Sequence, residues 1–350
     1  MLYSMKNIFD SLIKKKQRLN KLLPLKKEVL TELEDWLRVE LTYSSNAIEG
    51  NTLTRKETAE ILEKGISAVI SGKPFKDQIE AINHAKAIDF IKKIADQKIK
   101  HTQIKEVNIN NIHKIILTGI IDEWAGKYRE TEVFIKGSNV ELPQPIKVPY
   151  LMSEFLHWLS SQNNSNPIQV AADAHLKLVS IHPYVDGNGR TARLLMNLIL
   201  IINGYPMIII RNEERVQYLD SLEEAQLKDN INPCYDFIKK SVDRSLEAYI
   251  NATSNKPILP AFSKNSISVI KSKREFITYS ELLKISELAK ETGETIHTLR
   301  YWTKMGLLKV TKYSEGGYQL YSPDVIKQAK NIRKLQKEKR LTLSELKRMI

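Results

Sequence analysis

One cysteine in 350 residues, Cys234, leaves no partner for an intramolecular disulfide and fits a reducing compartment. The N-terminal stretch, residues 1–20, has no uninterrupted apolar segment, so no secretory signal is read there. The longest strongly apolar run, Leu194–Ile202, is too short to span a bilayer and contains Asn197. A soluble, cytoplasmic protein without membrane contact is the expectation. Metal-ligand spacing is also missing. His84, His101 and His113 stand apart as structural or surface groups, and His175, seven residues before His182, has no third ligand nearby and reads as a hydrogen-bonded core histidine. What is present is 42% apolar residues, ample for a core, over a length that predicts two or three units. Net charge is +13, and residues 261–350 hold 19 Lys and Arg against 9 Asp and Glu. That points either to a polyanionic partner or to a solvated lysine-rich surface.

The pattern is mainly helical. Residues 6–70 read as helices; around 26–49, Val29, Leu30, Leu33, Trp36, Leu37, Leu41 and Ile48 recur at helical spacing, ended by Gly50. Glu49 falls at that helix's C-terminus, where the helix dipole disfavours a carboxylate and a nearby cation would repair the mismatch. Further helices are predicted over 77–100, 107–118, 150–162, 167–181 and 213–228. Between them, Gly126–Arg129 leads into Val133-Phe134-Ile135, a turn at Gly137-Ser138-Asn139 and prolines at 143, 145 and 149, which together read as a β-hairpin.

The densest chemistry lies in His182-Pro183-Tyr184-Val185-Asp186-Gly187-Asn188-Gly189-Arg190-Thr191-Ala192-Arg193. Pro183 disfavours helix at His182, and Gly187 and Gly189 permit positive φ and close backbone approach. From Arg190 onward the chain is a helix apolar on nearly every face, hence buried. The amides of Gly187–Gly189 therefore sit at the positive end of a buried helix, a ready anion site. Arg190 and Arg193, three apart, can reach one polyphosphate together.

This segment resembles the signature of the Fic family, matching every defining position except that Tyr184 replaces the usual phenylalanine. The resemblance implies AMP transfer from ATP to a Ser, Thr or Tyr hydroxyl of a protein, the chain itself included. It makes His182 the general base, and Asp186 the ligand of a Mg²⁺ between α- and β-phosphates. Gly187, Asn188 and Gly189 would cradle the phosphates, with Thr191 beside them, Arg190 on the β-phosphate side and Arg193 on the γ-phosphate. Ser45-x-x-x-Glu49-Gly50-Asn51 is similar to the family's inhibitory motif, which would pair Glu49 with Arg193. The hairpin corresponds to the flap, with Val133, Phe134, Ile135 and Lys136 facing ATP. Tyr218 falls where an adenine-contacting tyrosine is placed; Gln226 stands where the family has asparagine. Within the family the same site also removes AMP, with Glu49 then positioning water, or transfers other phosphate-containing groups.

A linker rich in Ser, Asn and Pro, Thr253–Pro260, marks a boundary. The expected organisation is a helical region with the inhibitory helix over 1–100, a Fic core over 101–252, a linker over 253–276 and a second module over 277–350. There, Ile285–Gly293 and Thr295–Met305 form two helices around a Gly-containing turn. Leu308–Val310 and Tyr318–Tyr321, joined through Gly316-Gly317, read as a wing, followed by a helix over 323–338 and by Leu341–Leu346. The module resembles the winged helix-turn-helix of MerR-type regulators. That resemblance implies duplex DNA as partner, with Arg300, Tyr301, Lys309 and Lys312 as phosphate contacts; a winged helix used only for protein contacts is the alternative. The match reaches Ile350 without a long dimerising helix, so homodimerisation would come from elsewhere. A DNA-binding regulator whose Fic half senses nucleotide or modifies itself is the second overall reading.

Overall fold

A computed structural model describes residues 9–65, 70–135, 137–253, 282–313 and 319–339. The chain divides into two compact units, residues 1–58 with 73–262 and residues 59–72 with 263–350. The first unit is helical: α1 (Asp10–Leu22), α2 (Lys27–Ile48), the start of α3 (Arg55–Lys64), α4 (Phe75–Asp96), α5 (Glu106–Leu117), α6 (Val148–Ser161), α7 (Pro167–Ile181), α8 (Asn188–Ile202), α9 (Arg215–Lys228) and α10 (Asn232–Thr253). Helical periodicity thus locates the elements, but the helical reading of 6–70 breaks at residues 23–26, because Pro24 cannot continue α1. Residues 6–8 and 66–69 of that span lie outside the described residues.

One hydrophobic core runs through this unit, from Leu33 and Leu37 on α2 to Val242 and Leu246 on α10. At its centre is α8. Leu194, Leu195, Met196, Leu198, Ile199 and Leu200 are all buried, so the all-round apolar segment is an internal helix. Its one polar interruption is satisfied: Asn197 Nδ2 donates to Ile208 O (3.1 Å), and Ile208 N donates to Asn197 Oδ1 (2.7 Å). The extended stretch after α8 is thereby stitched to it. No described helix is long and apolar enough to cross a membrane.

The flap segment occupies residues 127–144. Residues 127–135 and 137–144 carry neither helix nor strand, with a turn closed by Ser138 N donating to Ile135 O (3.2 Å), and no strand ladder joins the arms among the described residues. Pro143 and Pro145 remove donors from the return arm. Instead, the buried Arg129 ties the ends together, its guanidinium donating to Thr131 O (3.2 Å) and to Pro143 O.

The second unit contains β1 (Leu283–Lys284), α11 (Ile285–Thr292), α12 (Ile296–Lys304), β2 (Lys312–Tyr313), β3 (Gln319–Tyr321) and α13 (Asp324–Lys339). Gly293 (φ 72°) ends α11 in the left-handed region, and Thr295 Oγ1 caps α12 by accepting from Thr298 N (3.0 Å). The three strands form an antiparallel sheet in the order β1-β3-β2. The wing therefore begins at Lys312, not at Leu308. Leu307 and Leu308 are buried against Trp302 and Leu299, because both backbone N–H groups turn back to Trp302 O at the end of α12. Nearly all of the predicted 253–276 linker, the Gly316-Gly317-Tyr318 part of the wing and Leu341–Leu346 lie outside the described residues.

Candidate active site

The turn between α7 and α8 is built from within. Asn166 caps α7 by accepting from Ile168 N (2.9 Å), and the helix ends at His182 in the left-handed conformation (φ 49°, ψ 58°) because Pro183 follows. For a residue with a Cβ that conformation costs about 1–2 kcal/mol. Arg129 holds it: its Nε donates to His182 O (2.8 Å), and its backbone N–H donates to Pro183 O (2.9 Å). Four residues on, Asn188 Oδ1 accepts from Tyr184 N (2.9 Å) while its Nδ2 donates to Tyr184 O (2.8 Å). Thr191 Oγ1 donates to Gly187 O (2.8 Å) and is fully buried. The side chains of Asn188 and Thr191 thus brace the turn from inside.

His182 Nδ1 lies 3.3 Å from Val179 O, a pure acceptor, so Nδ1 carries the proton and Nε2 keeps its lone pair. Burial and the Arg129 guanidinium push its pKa below 6.5, against the opposing pull of the Val179 bond, Glu49 and Asp186. The imidazole is therefore neutral at pH 7, the form that accepts a proton.

Asp186 is held by its backbone. Gly126 N donates to His113 Nδ1 (2.9 Å), which leaves the proton on Nε2 to bond Asp186 O (2.9 Å). Burial lowers the His113 pKa to about 4, so this neutral tautomer persists. The imidazole stacks on Tyr184 at 3.6 Å between centroids, and Tyr184 Oη donates to Asn110 Oδ1 (2.7 Å). The tyrosine that replaces phenylalanine in the signature thereby anchors the loop to α5. Gly187 (φ 74°) packs against the same wall, with Ile116 Cγ2 3.4 Å from where a Cβ would stand.

At the far side of the cradle, Arg193 is 6% exposed and clasped by α2. Its Nε donates to Ser45 Oγ (3.0 Å), and its Nη2 donates to Ser45 O (2.8 Å) and Glu49 Oε1 (2.7 Å). A Cβ on Gly189 would come within 2.5 Å of Glu49 Oε1, so the carboxylate fills the space above that glycine at the α8 N-terminus. Arg215 Nε donates to Ile48 O (2.7 Å), a second cation at the C-terminal end of α2. Tyr218, which a surface helix position would have left exposed, is buried beneath Arg193: the guanidinium stands 5.9 Å from its ring, and its Oη lies 2.8 Å from His175 Nε2. His175 is the hydrogen-bonded core histidine expected.

Arg190 is also buried. Its Nη1 lies 2.9 Å from Glu80 Oε1 and its Nη2 3.5 Å from Asp186 Oδ1, but neither Nε nor Nη1 makes a hydrogen bond, so the Glu80 contact is an ion pair without hydrogen-bond geometry. A polyphosphate fits this arrangement, given an unmatched guanidinium N–H, the free first-turn amides of α8 and a glycine with no Cβ above it. The Asp186 carboxylate, 41% exposed, is not joined by two further His, Cys, Asp or Glu ligands among the described residues. A cation there would draw its remaining ligands from phosphate and water, the habit of Mg²⁺.

The other candidates sit apart. Val133 and Ile135 are half-buried with Phe134 exposed between them, and Ser138 Oγ and Asn139 N donate to Glu223 on α9 (3.0 and 3.2 Å). Lys136 lies outside the described residues. Gln226 Nε2 donates to Ser180 Oγ (3.0 Å) on α7, away from Arg193's support. In the second unit Arg300, Tyr301 and Lys309 are exposed, whereas the Lys312 side chain lies outside the described residues. Arg300 and Lys309 line a groove of about 1200 Å³ with Lys284 and Lys304, without a carboxylate. Sequence reasoning missed Glu80, Asn110, His113, Arg129 and Arg215 as parts of the first site. None has a local pattern to announce it.

Residues 103–200 match the Fic/DOC family and residues 283–350 match the MerR HTH family regulatory protein. The structure is similar to that of Fic-1 from C. elegans, with a TM-score of 0.65 and 32% identity over 73% of this chain and 74% of that one. It is similar also to a Fic domain containing signaling protein from Bacteroides thetaiotaomicron (TM-score 0.65, 28% identity, 73% of this chain and all of that one). Curated relatives named Protein adenylyltransferase Fic, from Drosophila grimshawi and Nematostella vectensis, are each 38% identical over 61% and 62% of this chain. The chain belongs to the Fic family. It spans 43% and 49% of the length of those two relatives, and to the Fic core it adds a separate MerR-like helix-turn-helix region.

Proposed function

We propose that the protein is an autoinhibited adenylyltransferase that moves AMP from ATP to a hydroxyl of a protein substrate, as the names of its relatives describe them. The observation that carries this reading is the placement of the Glu49 carboxylate: it occupies the anion cradle over Gly189 and holds Arg193, while His182 Nε2 is unengaged at the other end of the loop. In the reaction, His182 Nε2 takes the proton of the target hydroxyl. Its oxygen bonds to the α-phosphorus, the bond to the β-bridging oxygen breaks, and pyrophosphate leaves. The α8 amides and Arg190 stabilise charge on the phosphates, and Arg193 holds the γ-phosphate once Glu49 withdraws. Mg²⁺ at Asp186 would supply charge neutralisation between the phosphates. The flap, whose arms form no ladder among the described residues, offers backbone groups to the target segment by strand addition. A single cysteine suits a cytoplasmic setting.

Intact-mass measurement after incubation with ATP and Mg²⁺, with and without lysate, tests the assignment. Glu49→Gly is expected to gain adenylyl groups or to label a lysate protein, and Glu49→Gly/His182→Ala to do neither. Equal labelling by the two variants would refute it.

The basic groove favours a second activity, duplex DNA binding by the MerR-like unit. Four cations line it, so the log–log salt slope of binding by the full chain is expected to be about −3 to −4. Failure to bind duplex DNA at low salt would remove this reading.

A further inference from the structure

Arg190 stands between two carboxylates on different elements. Glu80, on the first turns of α4, meets its Nη1 at 2.9 Å; Asp186, in the loop that leads into α8, lies 3.5 Å from its Nη2. Both guanidinium and Glu80 are buried, with side-chain exposures of 2% and 8%, so the pairing is scarcely screened. Glu80 is itself oriented. Asn51 Nδ2 donates to its Oε2 (2.9 Å) and to Asp77 O (3.0 Å), and Asn51 Oδ1 accepts from Leu53 N (3.1 Å). Lys76 Nζ is a more distant neighbour at 3.8 Å from Oε1. The asparagine that follows Glu49-Gly50 thus fixes the carboxylate that faces Arg190.

We propose that Glu80 is a positioning residue that keeps Arg190 from closing on Asp186, and so leaves the Asp186 carboxylate available to a divalent cation. This rests on the reading of the cradle given above. Without the Glu80 charge, the nearest carboxylate to this buried guanidinium is Asp186, in the loop just ahead of α8 and already bonded at Oδ1 by Gly187 N (2.6 Å). Arg190 then moves onto it, neutralising the one carboxylate that would face the metal. Asn51 ties this selection to the segment that leaves the inhibitory helix.

The experiment is a double-mutant cycle in the Glu49→Gly protein, in which calorimetry follows binding of a non-hydrolysable ATP analogue as Mg²⁺ is varied. Glu80→Gln is expected to raise the Mg²⁺ concentration for half-maximal binding about tenfold, the usual size of an outer-shell effect. Glu80→Gln with Arg190→Gln is expected to show no such rise relative to Arg190→Gln alone, because no guanidinium remains to capture Asp186. A shift that persists in the double variant means a merely structural role and overturns the proposal. A crystal structure of Glu80→Gln without nucleotide gives a readout independent of any transfer activity. The Arg190–Asp186 separation is expected to shorten from 3.5 Å to the roughly 2.8 Å of a charge-assisted hydrogen bond, and an unmoved Arg190 overturns the proposal even if AMP transfer is proven.

Discussion

Replacing Glu49 by Gly removes the carboxylate that both pairs with Arg193 and fills the space above Gly189. A hydrogen bond to a charged group contributes about 1.5–3 kcal/mol. Glu49 is 38% exposed, so solvent screening reduces this to about 1–1.5 kcal/mol. Its seat at the α8 N-terminus adds about 0.3–1 kcal/mol. The sum, about 1.5–2.5 kcal/mol, is the free energy that a γ-phosphate must overcome to take the same place. At 1.4 kcal/mol per decade it corresponds to a weakening of about tenfold to sixtyfold. On a His182→Ala background, where no turnover interferes, calorimetry is therefore expected to find ATP bound tighter by that factor when Glu49 is Gly. Glu49→Gln, which keeps the shape and loses the charge, should fall between. ADP, lacking the γ-phosphate, should gain much less. Equal ATP affinity with and without Glu49, or an equal gain for ADP, would refute the reasoning.

Arg129→Ala removes the donor that supports the strained His182 backbone and both ends of the flap. Labelling by the Glu49→Gly enzyme should drop at least tenfold, and the melting midpoint should fall by about 5–10 °C, as a loss of about 2–3 kcal/mol implies for a unit of this size. Because His182 titrates below 6.5, the acid limb of the labelling rate should lie below that pH; a midpoint above 6.5 would contradict the buried neutral imidazole. His84 and His175, with pKa values lowered to about 3, and His113, to about 4, are neutral in the fold and charge on unfolding below 6.5. The unfolded chain then binds more protons, so stability declines as pH falls from 6.5 toward 4, with uptake of about three protons on unfolding in that window. Calorimetric melts in two buffers of different ionisation enthalpy count them. Tyr184→Phe, which loses only the bond to Asn110, should lower labelling two- to threefold with little change in ATP affinity.

Helix positions followed from apolar spacing, because a 3.6-residue period reports which face is buried whatever it packs against. The signature loop was equally legible, since its chemistry is concentrated in twelve consecutive residues. Glu49 was half legible: its awkward place at a helix C-terminus asked for a cation, and family resemblance pointed to Arg193, but the close fit over Gly189 is a fact of packing. The flap was legible as two arms and a turn from its β-branched residues and Gly137-Ser138-Asn139, whereas the Arg129 contacts that tie its ends are a fact of packing. Leu308 was over-read as strand, because an apolar residue after a helix end can as well turn inward under Trp302.

Residues 182–193 carry in their own order the proposed base, the carboxylate, the positive helix end and the two guanidiniums, since local covalent geometry brings neighbours in a turn together. Whether those groups are free to act lies elsewhere in the chain. Glu49 reaches Arg193 across 144 positions, Asn51 and Glu80 orient Arg190, His113 holds Asp186 from α5, and Arg129 supports His182. Apart from the Glu49–Arg193 pair, to which the family resemblance pointed, these contacts join residues that no period or motif links. They exist because α2, α4 and α5 bury their apolar faces in the core that surrounds α8, and that burial, not sequence proximity, sets which polar groups meet.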